Sequence, residues 1–284
     1  MKKYAVLGFP LTHSLSPLIH TPAFEYLQID ADYIKIEIPP QEFNSRISSL
    51  KQENRHGFNV TIPFKQEVIQ YLDSIDPAAE KIGAVNTISI DENNKWTGYN
   101  TDSQGFLKPL LELDYRPESC LLLGAGGAAR AVSFGLAEEF KLQEMTIVNR
   151  SVDKAEKLAA DLRKYYAADF TVCSAADIEQ MNTVFDLIVN TTSVGMGRLS
   201  GQYLIEPAAA AGEKCVVYDL IYNPQTTKFL ELAEKQNLKT INGLPMLIYQ
   251  AALSFQIWTG QEFPAAVMDD LMKTIPMQKM PGKK

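Results

Sequence analysis

Lys65 stands near the end of the segment GFNVTIPFKQ (57–66), in which Phe58, Val60 and Ile62 alternate with Asn59 and Thr61 as in a half-buried strand. A lysine at the C-terminal end of a parallel-type strand, after a turn set by Pro63 and before a helix-like run, stands where open α/β sheets place their ligands. There an ammonium can stabilise negative charge growing on an oxygen and can deliver a proton. Most lysines in a helix's first turn are simply solvated. Three further polar segments, each read as following a strand-like run, shift that balance: Ser14-Leu-Ser16, Asn86 in GAVNT and Asp102 in GYNTD. Taken singly, they read as a capping serine, a turn asparagine and a helix N-cap aspartate. His13, His20 and His56 have no acid paired with them in the sequence and are weaker candidates for proton transfer.

A second chemistry is written at 121–130, LLLGAGGAAR: an apolar strand, then Gly124-x-Gly126-x-x-Ala129, then the helical run AARAVSFGLAEEF. Glycines at this spacing let the backbone approach a pyrophosphate seated on the following helix N-terminus. The string alone is weak, but strand, turn, helix and a second strand follow in the order a dinucleotide site requires. The second strand, MTIVNR, ends where an NAD site carries an acid for the ribose 2′-hydroxyl. Here stand Asn149, Arg150 and Ser151, with Lys154 one helical turn on. An arginine fork and a serine hydroxyl suit a 2′-phosphate, and cations at a helix start oppose its dipole, so NADP is expected over NAD.

The elements that must position these groups divide in two. Strand-like segments at Tyr4–Phe9, Tyr33–Ile38 and Phe58–Thr61 alternate with helix-like ones at Leu18–Leu27, Glu42–Leu50 and Lys65–Leu72, which predicts a mainly parallel α/β sheet. A hairpin from Val85 to Thr97 turns at Asp91–Asn94, and a second βα series begins near Cys120. Residues Leu244–Met272 read as helical with a break at TGQEFP and must pack on something already built. The expected organisation is an α/β protein of two domains. Residues 1–105 plus 246–284 form an N-terminal substrate-binding domain completed by C-terminal helices, and 106–245 form an inserted Rossmann-type NADP-binding domain, with a cleft between them as the ligand site.

Composition narrows the partners. The 284 residues are 46% hydrophobic and 21% charged, with 27 Lys+Arg against 34 Asp+Glu, a formal charge of −7. Such a chain offers no basic field for nucleic acid or an anionic membrane, so an anionic ligand needs local cations. Cys120, Cys173 and Cys215 lie far apart beside apolar runs and read as core thiols of a reducing compartment. The start, MKKYAVLGFPL, reads as a first strand rather than a leader, and no apolar run reaches the ~18 residues of a membrane helix. A cytoplasmic protein without a metal site is expected. Monomer and homodimer both remain open.

SLSP (14–17), NVTIPFK (59–65), GAVNT (83–87), GYNTD (98–102), GAGGAAR (124–130), VNRS (148–151) and GLPMLIYQA (243–251) resemble the NADP-dependent shikimate dehydrogenases in content and order, over nearly the whole chain. The resemblance implies reversible NADPH-dependent reduction of 3-dehydroshikimate to shikimate, in the pathway to chorismate and the aromatic amino acids. It implies that Ser14 and Ser16, with Tyr222, bind the substrate carboxylate. Thr61, Lys65, Asn86, Asp102 and Gln250 would contact the ring hydroxyls and the reacting oxygen, with Lys65 and Asp102 as the catalytic pair. The cofactor would be held by Gly124, Ala125, Gly126, Gly127, Ala128 and Ala129 at the pyrophosphate and by Asn149, Arg150, Ser151 and Lys154 at the 2′-phosphate. Thr191, Leu220, Gly243 and Met246 complete the cofactor set that the resemblance implies.

Ser151 replaces a frequent threonine and keeps its hydroxyl, whereas Lys154 replaces a frequent arginine and lacks its planar fork. Thr191 stands where alanine is common, and Pro245 where glycine is common. Three alternatives stay open at this level. One is a quinate/shikimate dehydrogenase using NAD, which an acid in place of Asn149-Arg150 would favour. Another is a non-catalytic NADP-binding sensor, which has no need of Lys65, Asp102 and two serines together. The third is a folate-linked dehydrogenase, whose substrate loop the SLSP segment does not resemble.

Overall fold

The computed structural model describes residues 1–178, 181 and 183–275, so the expected C-terminal segment beyond Ile275 lies outside the described residues. The chain forms two compact units, Met1–Gly105 with the segment from Ile248 onward, and Phe106–Leu247. In chain order the elements are β1 (Lys2–Gly8), α1 (Ser16–Tyr26), β2 (Ala31–Glu37), α2 (Phe43–Leu50), β3 (Gly57–Val60), β4 (Ser74–Ile75), α3 (Pro77–Ile82), β5 (Thr87–Ile90), β6 (Trp96–Tyr99) and α4 (Asp102–Glu112). Then come β7 (Ser119–Leu123), α5 (Gly127–Phe140), β8 (Glu144–Val148), α6 (Val152–Arg163), β9 (Asp169–Cys173), α7 (Ala175–Ile178), β10 (Phe185–Asn190), β11 (Ala211–Asp219), α8 (Lys228–Lys235), β12 (Lys239–Ile241), α9 (Leu244–Thr259) and α10 (Ala265–Thr274).

The first sheet has the order β2-β1-β3-β5-β6-β4. It is mixed rather than mainly parallel. β1 runs parallel to β2 and β3, but the hairpin β5–β6 returns antiparallel to β3. The expected turn at Asp91–Asn94 closes that hairpin: the Asp91 carboxylate accepts from Asn93 N and Lys95 N, and Asn94 takes a positive φ of 58°. The alternation read in GFNVTIPFKQ fails at both ends. Ile62 is exposed because the strand has already ended, and Asn59 is buried along with Phe58 and Val60. Both faces of β3 are covered. Phe58 and Val60 pack with Phe43, Ile47 and Leu50 of α2, while Asn59 points to the face where Tyr33 and Ser254 lie.

On that second face an aromatic cluster joins α1 to the C-terminal helix α9. Tyr4 stacks on Phe24 at 5.2 Å and on Trp258 at 4.8 Å, and Phe255 meets Phe24 at 5.0 Å. The Trp258 indole donates to the Ile88 carbonyl at 2.9 Å. Gly57 makes that approach feasible, since a Cβ there would lie 2.4 Å from the indole nitrogen. The helical reading of Leu244–Met272, its break at TGQEFP and its need for a prebuilt surface therefore describe α9 and α10. The helix expected at Lys65–Leu72 is instead a turn followed by a 3₁₀ segment, Glu67–Tyr71. Cys120 and Cys215 are core residues as expected; Cys173 is only half-buried.

The second sheet has the order β12-β11-β10-β7-β8-β9 and every pairing is parallel, the doubly wound pattern with its order reversing between β7 and β10. Its central strands β7, β8 and β10 are mostly buried apolar runs, as in parallel sheets covered by helices on both faces. Among the described residues no helix is long and apolar enough to cross a membrane. At the end of β11 the fully buried Asp219 accepts from the Asn190 amide at 3.0 Å, Ile221 N at 3.1 Å and the Thr227 hydroxyl at 2.6 Å. Thr227 in turn caps α8 through Leu230 N.

Burial pushes the Asp219 carboxyl up to about 6, against the three hydrogen bonds that lower it. A carboxyl raised in the fold binds its proton more tightly than in the unfolded chain. The stability it contributes is therefore complete below its unfolded value and lost as pH rises through about 6. The melting temperature of the wild type relative to Asp219→Asn is expected to fall between pH 4 and 7 and to level off above. Parallel curves in calorimetry across that range would contradict this.

Candidate active site

The antiparallel return of β5 decides which groups of the first unit meet. Because β1 and β3 are parallel, their C-terminal ends lie at one edge of the sheet. Because β5 opposes β3 and β6 opposes β5, the start of β5 and the end of β6 come to the same edge. Asn86 thus lies just before a strand, not at the end of one as the sequence suggested, and still joins Lys65 and Asp102. Backbone bonds fix the arrangement: Val85 N donates to Lys65 O at 2.7 Å, Val60 N to Asn86 O at 2.8 Å, and Asn86 N to Tyr99 O at 3.0 Å.

Lys65 Nζ donates to Asp102 Oδ2 at 2.5 Å, with both side chains largely buried at 13% and 5% exposure. A charge pair so far out of water holds its geometry only if its other polar atoms are also bonded. Asp102 Oδ1 accepts from Asn86 Nδ2 at 2.9 Å, and the same amide donates to Thr101 Oγ1 at 2.8 Å and to Gln250 Oε1 at 3.2 Å. The Asn86 orientation is fixed from both sides. Thr101 N, which can only donate, lies 2.7 Å from Oδ1, and the carboxylate, which can only accept, faces Nδ2. Thr61 sits beside Gly8 at the end of β1, where a Gly8 Cβ would come within 2.4 Å of its methyl. Ser16 is the first residue of α1, and Ser14 Oγ donates to its hydroxyl at 3.3 Å.

In the second unit the glycine fingerprint forms the turn between β7 and α5. Gly124 has φ +116°, and a Cβ there would lie 2.4 Å from Thr191 Oγ1, whose hydroxyl donates to Leu123 O at 2.7 Å. Gly126 is the N-cap of α5, which has no side-chain cap and no acid in its first turn, so the amides of Gly127, Ala128 and Ala129 open a helix start suited to an anion. Ala125 lies between the two glycines of this turn. Arg130 follows but is engaged with Asp161 at 2.9 Å, bracing α5 on α6. After β8, Asn149 donates to Ser151 O at 2.8 Å, shaping a short loop from which Arg150 is exposed and Lys154 rises on the first turn of α6.

Leu220 follows β11, and Tyr222 is half-buried with its phenol pushed above the usual range by burial. Gly243 N donates to Ile221 O at 3.0 Å, and Met246 is buried in the first turn of α9. Any Cβ on Gly243 would lie 2.0 Å from the Leu220 carbonyl oxygen, which is backbone and cannot swing away.

The histidines stay outside the Lys65 cluster. His20 is buried and stacks on Tyr33 at 4.6 Å; burial lowers its pKa to about 3, with Asn59 opposing, and neither ring nitrogen makes a hydrogen bond of normal geometry. His56 accepts from Lys3 N at 3.2 Å, and His13 is exposed. Sequence reasoning passed over Tyr33, Asn59, Thr87, Thr101 and Ser254, which lie behind the cluster. An asparagine inside a short strand is unusual, and that was the available signal at Asn59. Among the described residues no group of acids, cysteines and histidines could hold a metal.

Gly243→Ala is expected to cost roughly 1–3 kcal/mol, the scale of inserting a methyl where packing cannot yield. Thermal denaturation checks this, and an unchanged melting temperature would contradict the close backbone approach.

Comparison with known proteins places these features in one context. Residues 6–88 match the shikimate dehydrogenase substrate binding domain, 109–246 the shikimate/quinate 5-dehydrogenase model, and 243–273 the shikimate 5′-dehydrogenase C-terminal domain. A shikimate dehydrogenase (NADP(+)) of Caldanaerobacter subterraneus subsp. tengcongensis is 42% identical over 92% of this chain and 93% of its own length. A shikimate dehydrogenase solved in complex with NADP+ superposes with a TM-score of 0.86 at 38% identity, covering 98% of this chain and 96% of its own. The shikimate 5-dehydrogenase of Thermus thermophilus, solved with NADP(H) and shikimate, gives 0.83 at 33%, covering 96% and 99%. With identity of this extent along the whole fold, the chain belongs to the shikimate dehydrogenase family.

Proposed function

We propose that this protein catalyses the reversible NADPH-dependent reduction of 3-dehydroshikimate to shikimate. The observation that carries the reading is the buried Lys65–Asp102 pair held by Asn86, with Gln250 on the same amide. NADPH, when bound, supplies the hydride to the ketone carbon. The chain's part is to hold the substrate and steady the charge that then grows on oxygen. Lys65 presents an N–H donor to that oxygen, and Asp102 orients the ammonium. The Gln250 amide, whose oxygen accepts from Asn86, and the Thr61 hydroxyl serve as partners for ring hydroxyls. Ser14 and Ser16 bind the carboxylate at the start of α1, where the helix dipole favours an anion, and Tyr222 is assigned to the same group.

The first unit is assigned to substrate and the second to NADP. The glycine turn from Gly124 to Ala129, with its uncapped α5, fits a pyrophosphate, and Asn149, Arg150, Ser151 and Lys154 fit a 2′-phosphate. Thr191, Leu220, Gly243 and Met246 are assigned to the rest of the cofactor. Action on small soluble metabolites, with a formal charge of −7 and no basic field, fits a cytoplasmic enzyme without nucleic-acid or membrane partners. Either a monomer or a homodimer suits this role.

Wild-type protein is expected to oxidise NADPH with 3-dehydroshikimate, and Lys65→Ala to lower kcat by ~10²–10⁴ while binding shikimate. No oxidation with either NADPH or NADH would sink the reading. An inactive wild type that still binds NADPH would favour the sensor, and quinate with NAD rivalling shikimate with NADP would favour the broader dehydrogenase. Arg150→Ala is expected to weaken NADPH roughly ten- to hundred-fold with little change for NADH, the scale of a lost hydrogen bond to a charged group. Equal affinity of the wild type for both cofactors in a titration would refute NADP selection.

A further inference from the structure

Behind the Lys65–Asp102 pair lies a buried polar network that reaches toward the opposite end of the proposed substrate site. The Tyr33 hydroxyl donates to Asn59 Oδ1 at 2.6 Å. Asn59 Nδ2 donates to Ser254 Oγ at 3.0 Å and to Thr87 Oγ1 and the Asn86 carbonyl, each at 3.3 Å. Thr87 and Ser254 hydroxyls meet at 2.7 Å, Ser254 and Thr101 at 3.2 Å, and Thr87 donates to Asn86 Oδ1 at 3.1 Å. Tyr33, Asn59, Asn86, Thr87, Thr101 and Ser254 are all buried. At the other end burial pushes the Tyr33 phenol up, and the Ser16 side chain opposes that shift.

Donor counting gives the network a direction. The Asn86 backbone carbonyl can only accept, so the Asn59 amide nitrogen faces it, and the Asn59 oxygen is left to accept the Tyr33 proton. If Asn59 turned over, its oxygen would oppose the Asn86 carbonyl and the contact would repel. The Asn86 carbonyl sets which way round Asn59 sits; Tyr33 then supplies a donor to the Asn59 oxygen, and Asn59 Nδ2 holds the Asn86 carbonyl just before β5. Deleting one hydroxyl here leaves a buried acceptor without its donor, a larger penalty than a surface hydrogen bond incurs.

We infer that Tyr33 is a positioning residue for the reduction: through Asn59 and Ser254 it fixes Asn86, and through Asn86 the Asp102–Lys65 pair. This rests on the proposed activity; Tyr33, Asn59 and Ser254 are not among the residues assigned there to substrate or cofactor. It separates Tyr33 from a core aromatic that merely fills space beside His20.

The test is a kinetic cycle with 3-dehydroshikimate and NADPH both saturating. Tyr33→Phe, nearly isosteric, is expected to lower kcat about tenfold, within the loss that sub-ångström misplacement causes, with KM for NADPH unchanged within about twofold. In an Asn86→Ala background the same substitution is expected to change residual kcat by less than about twofold, because the group it acts through is gone. Wild-type kcat in Tyr33→Phe, or an equal loss in both backgrounds, overturns the inference while the proposed activity stands. A wild type that does not turn over overturns both. Should Tyr33→Phe fail to fold, Ser254→Ala carries the same comparison and the same expected values. If neither variant folds, the residues are structural and the inference falls.

Discussion

The Asn86 carboxamide is the constraint around which the first unit is arranged. Its oxygen takes the Thr101 amide and the Thr87 hydroxyl, and its nitrogen reaches Asp102, Thr101 and Gln250. No other residue type of that size offers two acceptor lone pairs and two donors in one plane. A carboxylate there would repel Asp102, and an apolar side chain would leave several buried groups without partners. The mixed sheet follows from the same need: only a strand running back against β3 brings the residue before it to the edge where β3 ends.

Much of this was legible in the sequence. Helix and strand order, the hairpin turn at Asp91–Asn94 and the C-terminal helices came from periodicity and turn chemistry, because those signals are local. The glycine turn was legible because its physics is also local: an uncapped helix start and a residue at φ +116° need glycine whatever surrounds them. What failed was non-local. Ile62 looked like one more inward position, but the strand stops where β1 and β5 stop pairing with it, two residues earlier. The helix expected after Lys65 is instead a turn and a 3₁₀ segment, although Phe64 and Val68, four residues apart, both reach the core cluster.

The buried polar network was the largest omission. Asn59, Thr87, Thr101 and Ser254 are separated by up to 195 residues, and each alone reads as the solvent face of its element. Nothing local marks Ser254 within an apolar helix, since a serine there can bond its own turn, as it does to Gln250 O at 3.0 Å. The proposed chemistry was easier to see than its support, because the residues proposed to face ligands sit in turns with unusual composition while supporting residues are ordinary ones in ordinary elements.

The position of α9 has a consequence for how the molecule is made. Its Ser254 and Trp258 complete hydrogen bonds to Asn59 and Ile88 in strands that leave the ribosome some 170–195 residues earlier. Until Trp258 has been synthesised, the early strands hold polar groups whose partners do not yet exist. The second unit, Phe106–Leu247, is contiguous in the chain. Translation therefore delivers all of Phe106–Leu247 while the unit begun first is still waiting for its last helices, and the proposed catalytic pair acquires its full support only when synthesis is nearly finished.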